Sequence, residues 1–195
     1  PLVRLLPGDY VISIDGPGDR TGAYKLQLLE RSDALALTTG IATTATLDPT
    51  ASTQLYAFNA TAGERFFFDA RSVTNGQANW RLFAPNGAQV FQTNAVSDTD
   101  VIRVDQTGEY LLAVEGRIYN ATAGTTNVTF NVQRVADDTA ALALGARVEG
   151  DIAHAGQIDR YTFTLGARTS VLVDSLSNSP FNWTLSGPTG VIASR

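Results

Sequence analysis

The sequence lacks cysteine and methionine, and it has a single histidine, His154. Without cysteine, disulfides, thiolate catalysis and cysteine-ligated zinc are excluded. One histidine cannot form a multi-histidine metal site, and a Ser-His-Asp triad would have to use His154. Because that residue lies in the turn-like stretch DIAHAGQID, we expect a solvent-exposed loop side chain.

Charge is also scarce, at 17% of residues, with a net charge of −5 and a pI of about 4.8. The arginines are scattered singly, whereas nucleic-acid binding needs clustered basic residues, so no nucleic-acid partner is expected. The apolar runs are far too short to span a membrane, so no membrane insertion is expected. A hydrophobic content of 44% suffices for a packed core.

Five segments recur in the same order at a spacing of roughly 100–107 residues, which is the signature of an internal repeat. The matched pairs are PGDYVISIDG (7–16) with TGEYLLAVEG (107–116), ALALTTGI (34–41) with ALALGARV (141–148), LYAF (55–58) with RYTF (160–163), FFFDA (66–70) with VLVDS (171–175), and NWRLFAPNG (79–87) with NWTLSGPTG (182–190). This order predicts the C-terminal part of one repeat at 1–33, a complete repeat at 34–136, and the N-terminal part of a following repeat at 137–195.

Apolar residues alternate with polar ones in these segments, which is typical of strands with one buried face. The inward sets are Tyr10, Ile12 and Ile14; Tyr110, Leu112 and Val114; Tyr24, Leu26 and Leu28; and Val128, Phe130 and Val132. Pro-Gly and Asn-Gly turn signals separate the runs. The sequence therefore predicts an all-β protein of tandem, jelly-roll-like antiparallel β-sandwich repeats of about 105 residues.

The order of motifs resembles the bacterial pre-peptidase C-terminal domain family, which is related to the collagen-binding domains of secreted collagenases. The matching residues are Asp159, Tyr161 and Phe163; Gly166, Thr169, Val171 and Val173; Trp183, Leu185, Pro188 and Gly190, with Trp80, Leu82, Pro85 and Gly87; Gly108, Tyr110 and Val114, with Gly8, Tyr10 and Ile14; and Tyr24, Leu26 and Leu28. The middle repeat departs from the pattern, because Gln54 replaces the first Asp. The resemblance implies a jelly-roll-like sandwich, secretion beside other domains, and in some members calcium or a polymeric ligand.

Carboxylate pairs are the remaining route to hydrolytic chemistry, since glycoside hydrolysis needs two of them flanking a cleft. The candidates are Glu64, Asp69, Glu109 and Glu115. Asp69 has a counterpart in Asp174, and we expect both to end their strands by accepting hydrogen bonds from turn amides. We expect no catalytic residues and no enzyme activity.

Calcium is the candidate ion, because it takes oxygen ligands from acidic loops. Asp15 and Asp19 share one loop, and Asp137 and Asp138 lie at the repeat junction, where an ion would stiffen the joint. The two pairs are equal alternatives. No other cofactor is expected.

Trp80 and Trp183 occupy equivalent places and could form either an exposed ligand platform or part of the core. We favour the core, because each alternates with a leucine in its strand. The same interpretation applies to Tyr56 with Tyr161 and to Tyr10 with Tyr110.

Three functions fit these features. The first is a non-catalytic repeat module of a larger secreted or cell-surface protein, acting as a spacer, an adhesive or a polymer-binding domain. The second is a structural subunit of a fibre or matrix, assembled head to tail as one chain completes the split sandwich of the next. The third is an accessory domain of a secreted peptidase or glycosidase. The expected partners are neighbouring repeats of the same or an adjacent chain, and extracellular polysaccharide or protein polymers.

Overall fold

The computed structural model describes residues 2–120, 123–177 and 181–195. The strands are β1 (Leu35–Ala36), β2 (Thr43–Leu47), β3 (Thr53–Ala60), β4 (Arg65–Thr74), β5 (Ala78–Phe83), β6 (Gln89–Asn94), β7 (Thr99–Arg103), β8 (Gly108–Gly116), β9 (Thr126–Val135), β10 (Asp138–Ala141), β11 (Asp159–Thr162), β12 (Thr184–Gly187) and β13 (Gly190–Ser194). A 3-10 turn, Arg31–Asp33, precedes β1.

Strands β1 to β9 form two sheets, with the orders β1-β3-β8-β5-β6 and β2-β9-β4-β7. Neighbouring strands are antiparallel, except that β1 runs parallel to β3. The inner faces of the two sheets meet in one core, where Tyr56 contacts Phe130 and Phe68 contacts Trp80. This confirms the all-β sandwich predicted from the alternating pattern.

The pairing of β8 shows why this core forms. Leu112 lies opposite Tyr56 of β3 on one side and Leu82 of β5 on the other. Because side chains alternate across a strand, Tyr110 and Val114 point inward with Leu112, and all five residues are buried.

The outer face of β8 is covered as well, which alternation alone does not predict. Leu111 and Ala113 point away from the main core, yet both are buried in a second cluster with Leu55 and Phe83. Leu29 packs against this cluster from the segment that precedes β1. The segment around Leu29 therefore lies on the outside of the five-stranded sheet.

Residues 2–30 contain no strand in the structure, which contradicts the strands predicted around Tyr10–Ile14 and Tyr24–Leu28. Apart from Leu29, their apolar side chains are exposed; Ile12, for example, is 57% exposed. The physical reason is that residues 8–16 match β8, a central strand that needs a neighbour on each side. Among the described residues, this segment has no strand neighbour.

Residues 137–195 form two small separate sheets. β10 pairs in parallel with β11, and β12 pairs with β13 in an antiparallel hairpin. Most of their side chains are exposed or half-buried. The structure thus contains one closed sandwich, and the division of the chain into repeats remains a prediction.

Candidate functional site

A polar cluster lies where the sandwich meets the segment that follows it. Asp137 stands between β9 and β10. Its Oδ2 accepts hydrogen bonds from Arg65 Nη1 at 2.7 Å and from Arg160 Nη1. Its Oδ1 accepts from the backbone N–H of Ile158 at 3.1 Å. One carboxylate therefore joins the first residue of β4 to β11.

The two guanidinium groups set the electrostatics of this junction. The hydrogen bond from Arg160, and after it the one from Arg65, lowers the pKa of Asp137 to about 2. Both bonds favour the charged form of the carboxylate, and they outweigh the opposing effect of desolvation. Asp137 is therefore ionised at any pH at which the protein is expected to work.

A close backbone approach accompanies the ion pairs. Arg65 Nη2 also donates to the carbonyl of Gly156, at 3.2 Å. Gly156 has a φ of +83°, and a Cβ there would lie 2.4 Å from Val101 Cγ2 and 3.4 Å from Val135 Cγ2. The turn that contains Gly156 therefore rests directly on β7 and β9, with no room for a side chain.

Gln157, next in the chain, is buried, and both its side-chain oxygen and its side-chain nitrogen form hydrogen bonds. Its Oε1 accepts from the backbone N–H of Ala153 at 3.0 Å, and its Nε2 donates to Asp159 Oδ1 at 2.8 Å and to Asp138 Oδ2 at 3.3 Å. A buried amide with satisfied hydrogen bonds fixes the conformation of the residues around it. It holds the loop before β11 against β10.

A groove of about 310 Å³ lies beside this amide. Its lining includes four carboxylates, from Asp138, Glu149, Asp151 and Asp159. Of the two predicted calcium ligands at the junction, Asp138 faces this groove, whereas Asp137 is engaged by arginines. Within the described ranges, no group of three or more histidine or acidic residues has the arrangement of a metal site.

The other predicted calcium pair, Asp15 and Asp19, lies in an exposed loop of the N-terminal segment. Two further aspartates of the sandwich, Asp98 in the loop before β7 and Asp100 within β7, accept hydrogen bonds from backbone amides. Asp98 Oδ1 accepts from the N–H of Ala70 at 2.8 Å, and Asp100 Oδ1 accepts from the N–H of Val101 at 2.7 Å.

Each of the four carboxylates considered for hydrolysis pairs with an arginine. The pairs are Glu64 with Arg134, Asp69 with Arg71, Glu109 with Arg31, and Glu115 with Arg81. In each pair the guanidinium balances the charge of the carboxylate; for Asp69 and Glu109 it bonds one of the two oxygens. The expectation that Asp69 ends its strand is wrong, because Asp69 lies inside β4, which continues to Thr74, and its Oδ2 accepts from Arg71 Nε at 2.8 Å.

The two tryptophans differ in burial, because one lies in the closed sandwich and the other outside it. Trp80 is completely buried, with edge-to-face contacts to Phe68, Phe91 and Phe130, so the core interpretation is confirmed for it. Trp183 is half-buried in the small hairpin.

The burial of the tyrosines shows the same difference between the closed sandwich and the rest of the chain. Tyr56 and Tyr110 are buried, whereas Tyr161 is 38% and Tyr10 is 56% exposed. The core interpretation is therefore confirmed only for the tyrosines of the closed sandwich.

His154 lies in the bend before the turn that carries Gly156, as the loop prediction required. Its side chain is half-buried rather than exposed, and its Nε2 is buried without a hydrogen-bond partner in the structure. The turn docks on the sandwich, and this docking accounts for the difference.

A second groove, of about 420 Å³, lies between residues 27–33 and the sandwich. Polar side chains make up most of its lining, namely Gln27, Asp33, Thr46, Asp48, Ser52, Thr53 and Gln54.

None of the protein-family models matches the chain, and the curated proteins contain no match to it. Among solved structures, the chain is similar to PliG of Aeromonas hydrophila, a periplasmic inhibitor of g-type lysozyme, with a TM-score of 0.40 and 15% identity over 51% of this chain and 96% of that one. PliG of Salmonella Typhimurium gives a TM-score of 0.36 and 19% identity over 50% of this chain and 96% of that one.

The chain is also similar to the pre-peptidase C-terminal domain of a Bacillus anthracis collagenase, with a TM-score of 0.40 and 15% identity over 52% of this chain and 93% of that one. That domain bears the name of the family that the sequence motifs resemble. The β-sandwich implied by the resemblance is the fold of residues 35–135.

Sequence reasoning placed Asp137 at the junction but missed its partners, Arg65 and Arg160. The only signal was that Arg65 opens a strand and that Arg160 lies in one.

In the described ranges, no helix has the length and apolarity needed to cross a bilayer.

Proposed function

We propose that the chain is a non-catalytic module of an extracellular protein, in which it spaces successive sandwich units at a fixed joint. The observation that carries this proposal is the sharing of Asp137 between Arg65 of the sandwich and Arg160 of the following segment. A flexible linker between units would not need a shared carboxylate, a buried amide and a close backbone contact.

These contacts support a stiff connection because partly exposed ion pairs are combined with close packing and a buried, hydrogen-bonded amide. The ion pairs are partly exposed, with side-chain exposure of 14% at Asp137 and 27% at Arg65, and such pairs alone stabilise only weakly. The packing of Gly156 on Val101 and the burial of Gln157 add shape and hydrogen-bond constraints. Together they restrict rotation between the sandwich and β11.

Nitrogen-15 relaxation of the full chain tests the joint. In the unmodified chain we expect the amides of Val101 and Arg160 to have the same rotational correlation time. Asp137→Ala should shorten the correlation time of the Arg160 amide and leave that of Val101 unchanged. Asp174→Ala removes an exposed carboxylate of the same segment and is the control, which should leave both values unchanged. Independent tumbling of Arg160 in the unmodified chain would remove the spacer role.

An extracellular setting and a polymeric ligand are parts of the same proposal. A chain without cysteine folds after export without any need for oxidation, and its sequence is rich in small polar residues. The polar groove beside residues 27–33 is the surface that we assign to a polymer. Retention on collagen, cellulose, chitin or cell-wall polymers, reduced by Gln54→Ala, would support an adhesive role; no retention would leave the spacer role.

Calcium stays within this proposal as a ligand of Asp138 or of the loop with Asp15 and Asp19. Asp138 faces a groove lined by further carboxylates, which supports the junction as the calcium site. Asp137 itself is held by two cations, so calcium would have to compete with them.

A second candidate function is a structural subunit that assembles head to tail. It is favoured by the exposed apolar side chains of residues 2–28 and 158–192, which are too numerous for an isolated soluble unit. Sedimentation at increasing concentration tests this function, and a monomer at all concentrations would exclude it.

A further inference from the structure

The strand β6 (Gln89–Asn94) forms an open edge of the closed sandwich. Its one strand neighbour in the described chain is β5. Directly after β6, the N–H of Ala95 donates to the carbonyl of Ala78 at 2.9 Å, so Ala95 faces β5. Backbone groups alternate in direction along an antiparallel strand. The N–H and C=O of Gln92 and the N–H of Asn94 therefore point away from the sheet.

The other three edges of the sandwich are shortened or protected, as native sheet edges usually are. β1 has two residues, and the carbonyl of Thr44 in β2 accepts a hydrogen bond from the Tyr56 hydroxyl at 3.5 Å. In β7, the carboxylate of Asp100 accepts from the N–H of Val101, and the turn that contains Gly156 rests on Val101. With six residues, β6 is the longest of the four edge strands.

The sequence of β6, QVFQTN, contains neither a charged residue nor a proline. Charged side chains and proline are the usual means of preventing an edge strand from pairing with another chain. A register shift lies opposite the start of the strand, but Phe91 to Asn94 pair with β5 in a regular ladder. This regular, uncharged stretch is able to accept another strand.

The core is incompletely covered at this edge. The ring of Phe91 packs at 4.9 Å from the ring of Phe68 and at 6.3 Å from that of Trp80, yet Phe91 is only partly buried. Val90, next to it, is 38% exposed. A strand added to β6 would cover both apolar side chains, so apolar burial would accompany the new backbone hydrogen bonds.

The strand is complementary to an antiparallel copy of itself centred on Gln92. In that register Gln92 lies opposite Gln92 of the second copy, and Phe91 lies opposite Thr93. An aromatic side chain opposite a β-branched one is a favourable cross-strand pair, and glutamines placed together form amide hydrogen bonds. Because β6 is uncharged, no like charges meet.

The charges nearest to β6 also favour an uncharged partner. Arg81 lies beside Gln92 in the register of β5 with β6. Its guanidinium is paired with Glu115 and lies 5.5 Å from the centre of the Phe83 ring. The arginine is thus already engaged, and the edge has no free charge that would attract an acidic or a basic segment. A second copy of β6 meets this requirement.

We propose that β6 is a dimerisation edge, at which the β6 strands of two copies pair in an antiparallel arrangement centred on Gln92. The two five-stranded sheets then form one continuous sheet. The interface uses the same strand of both copies, so it closes as a two-fold dimer and does not extend into a filament. This role goes beyond spacing along one chain, because it joins two chains side by side.

Sedimentation of the native chain and of three variants tests the edge. A single pair of strands is at the small end of specific interfaces, so concentrations up to about 1 mM are needed to detect a weak dimer. We expect the native chain and Gln92→Ala, which keeps the backbone N–H, to form a dimer. Gln92→Pro removes that N–H, and Gln92→Lys places like charges opposite each other, so both should remain monomeric.

The melting temperature of each variant, measured in dilute solution, is the control for folding. Proline is tolerated where the N–H of an edge strand points to solvent, and Gln92 is an exposed residue. We therefore expect all three variants to melt close to the native chain. If Gln92→Pro unfolds, Gln92→Lys alone carries the test of the edge.

Disulfide trapping tests the register, since the native chain has no cysteine. Gln92→Cys places two thiols opposite each other across the two-fold axis. Gln89→Cys is the matched control, because it changes the same residue type in the same strand but leaves the two thiols about 20 Å apart. Under mild oxidation, we expect the dimer yield of Gln92→Cys to exceed that of Gln89→Cys by at least about tenfold.

Each contrary result overturns a defined part of the proposal. A native chain that is monomeric at every concentration would overturn self-pairing and leave the spacer role standing. A dimer that persists in both Gln92→Pro and Gln92→Lys would overturn β6 as the interface. Equal trapping yields would overturn the register. Growth beyond a dimer, unchanged in these variants, would overturn the dimerisation edge and support head-to-tail assembly.

Discussion

Arg65 donates to Asp137 at 2.7 Å and so links the first residue of β4 to the residue before β10. The two residues are 72 positions apart in the chain. The same carboxylate takes a second guanidinium from Arg160, so a single anion holds one cation from each side of the junction. This arrangement makes the junction sensitive to pH, to side-chain volume and to competing cations.

Acid should weaken the junction within a defined range. The pKa of Asp137 is about 2 in the folded chain, below the value of about 3.9 of an unfolded aspartate. Its stabilising contribution is therefore complete above about pH 4 and is lost as the pH falls through 2. Thermal unfolding of the native chain and of Asp137→Asn should differ at neutral pH and converge near pH 2. A difference that persists unchanged at pH 2 would contradict this assignment.

The contact between Gly156 and Val101 should tolerate no side chain. Gly156→Ala adds a clash at 2.4 Å to the cost of a positive φ, and overpacking of this kind costs about 1–3 kcal/mol. Gly145→Ala is the matched control, because Gly145 has a φ of +80° and open space around it. It should show only the backbone cost, of roughly 1 kcal/mol. Urea unfolding measures both, and equal losses would show that Gly156 is not packed against β7.

Equivalent residues of the repeat should respond differently to truncation. Leu112→Ala removes a fully buried side chain and should cost about 2–5 kcal/mol. Ile12→Ala removes an exposed one and should change the stability of the dilute chain by no more than about 0.5 kcal/mol. Urea unfolding followed by circular dichroism gives both values. Similar costs would mean that residues 8–16 are packed in the dilute chain.

Calcium should raise the melting temperature at millimolar concentration if either predicted site binds it. Asp138→Asn should remove the shift if the ion lies in the junction groove, and Asp15→Asn should remove it if the ion lies in the N-terminal loop. Magnesium at equal concentration is the control for ionic strength. The absence of a shift in the native chain would eliminate both sites.

Much of the sandwich could be predicted from local patterns. The alternation around Tyr110 placed that side chain in the core, and it is 1% exposed. The Asn-Gly signal predicted the turn between β4 and β5, where Asn75 has a φ of +57° and Gly76 of +145°. These features depend on neighbours a few residues away, so a linear sequence contains them.

The same reasoning failed for residues 10–14, although their pattern matches that of β8. A central strand is stabilised by partners that are distant in the sequence, and a pattern states what a segment would bury but not whether its partner is present. The repeat also aligned the two ALAL segments directly. The structure instead places Leu142 where Leu37 lies, because Leu142 donates to the carbonyl of Thr162 as Leu37 does to that of Ala57.

The amino-acid sequence by itself determined the strand-forming alternation, the turns and the order of repeated elements, because these rest on side-chain chemistry and local backbone preference. Only the tertiary structure decided which copy of each element is buried and which is left exposed. It alone brought Arg65 and Arg160 to one carboxylate. Burial and ion pairing join groups from distant parts of the chain, and the distances between such groups are set only when the sheets pack.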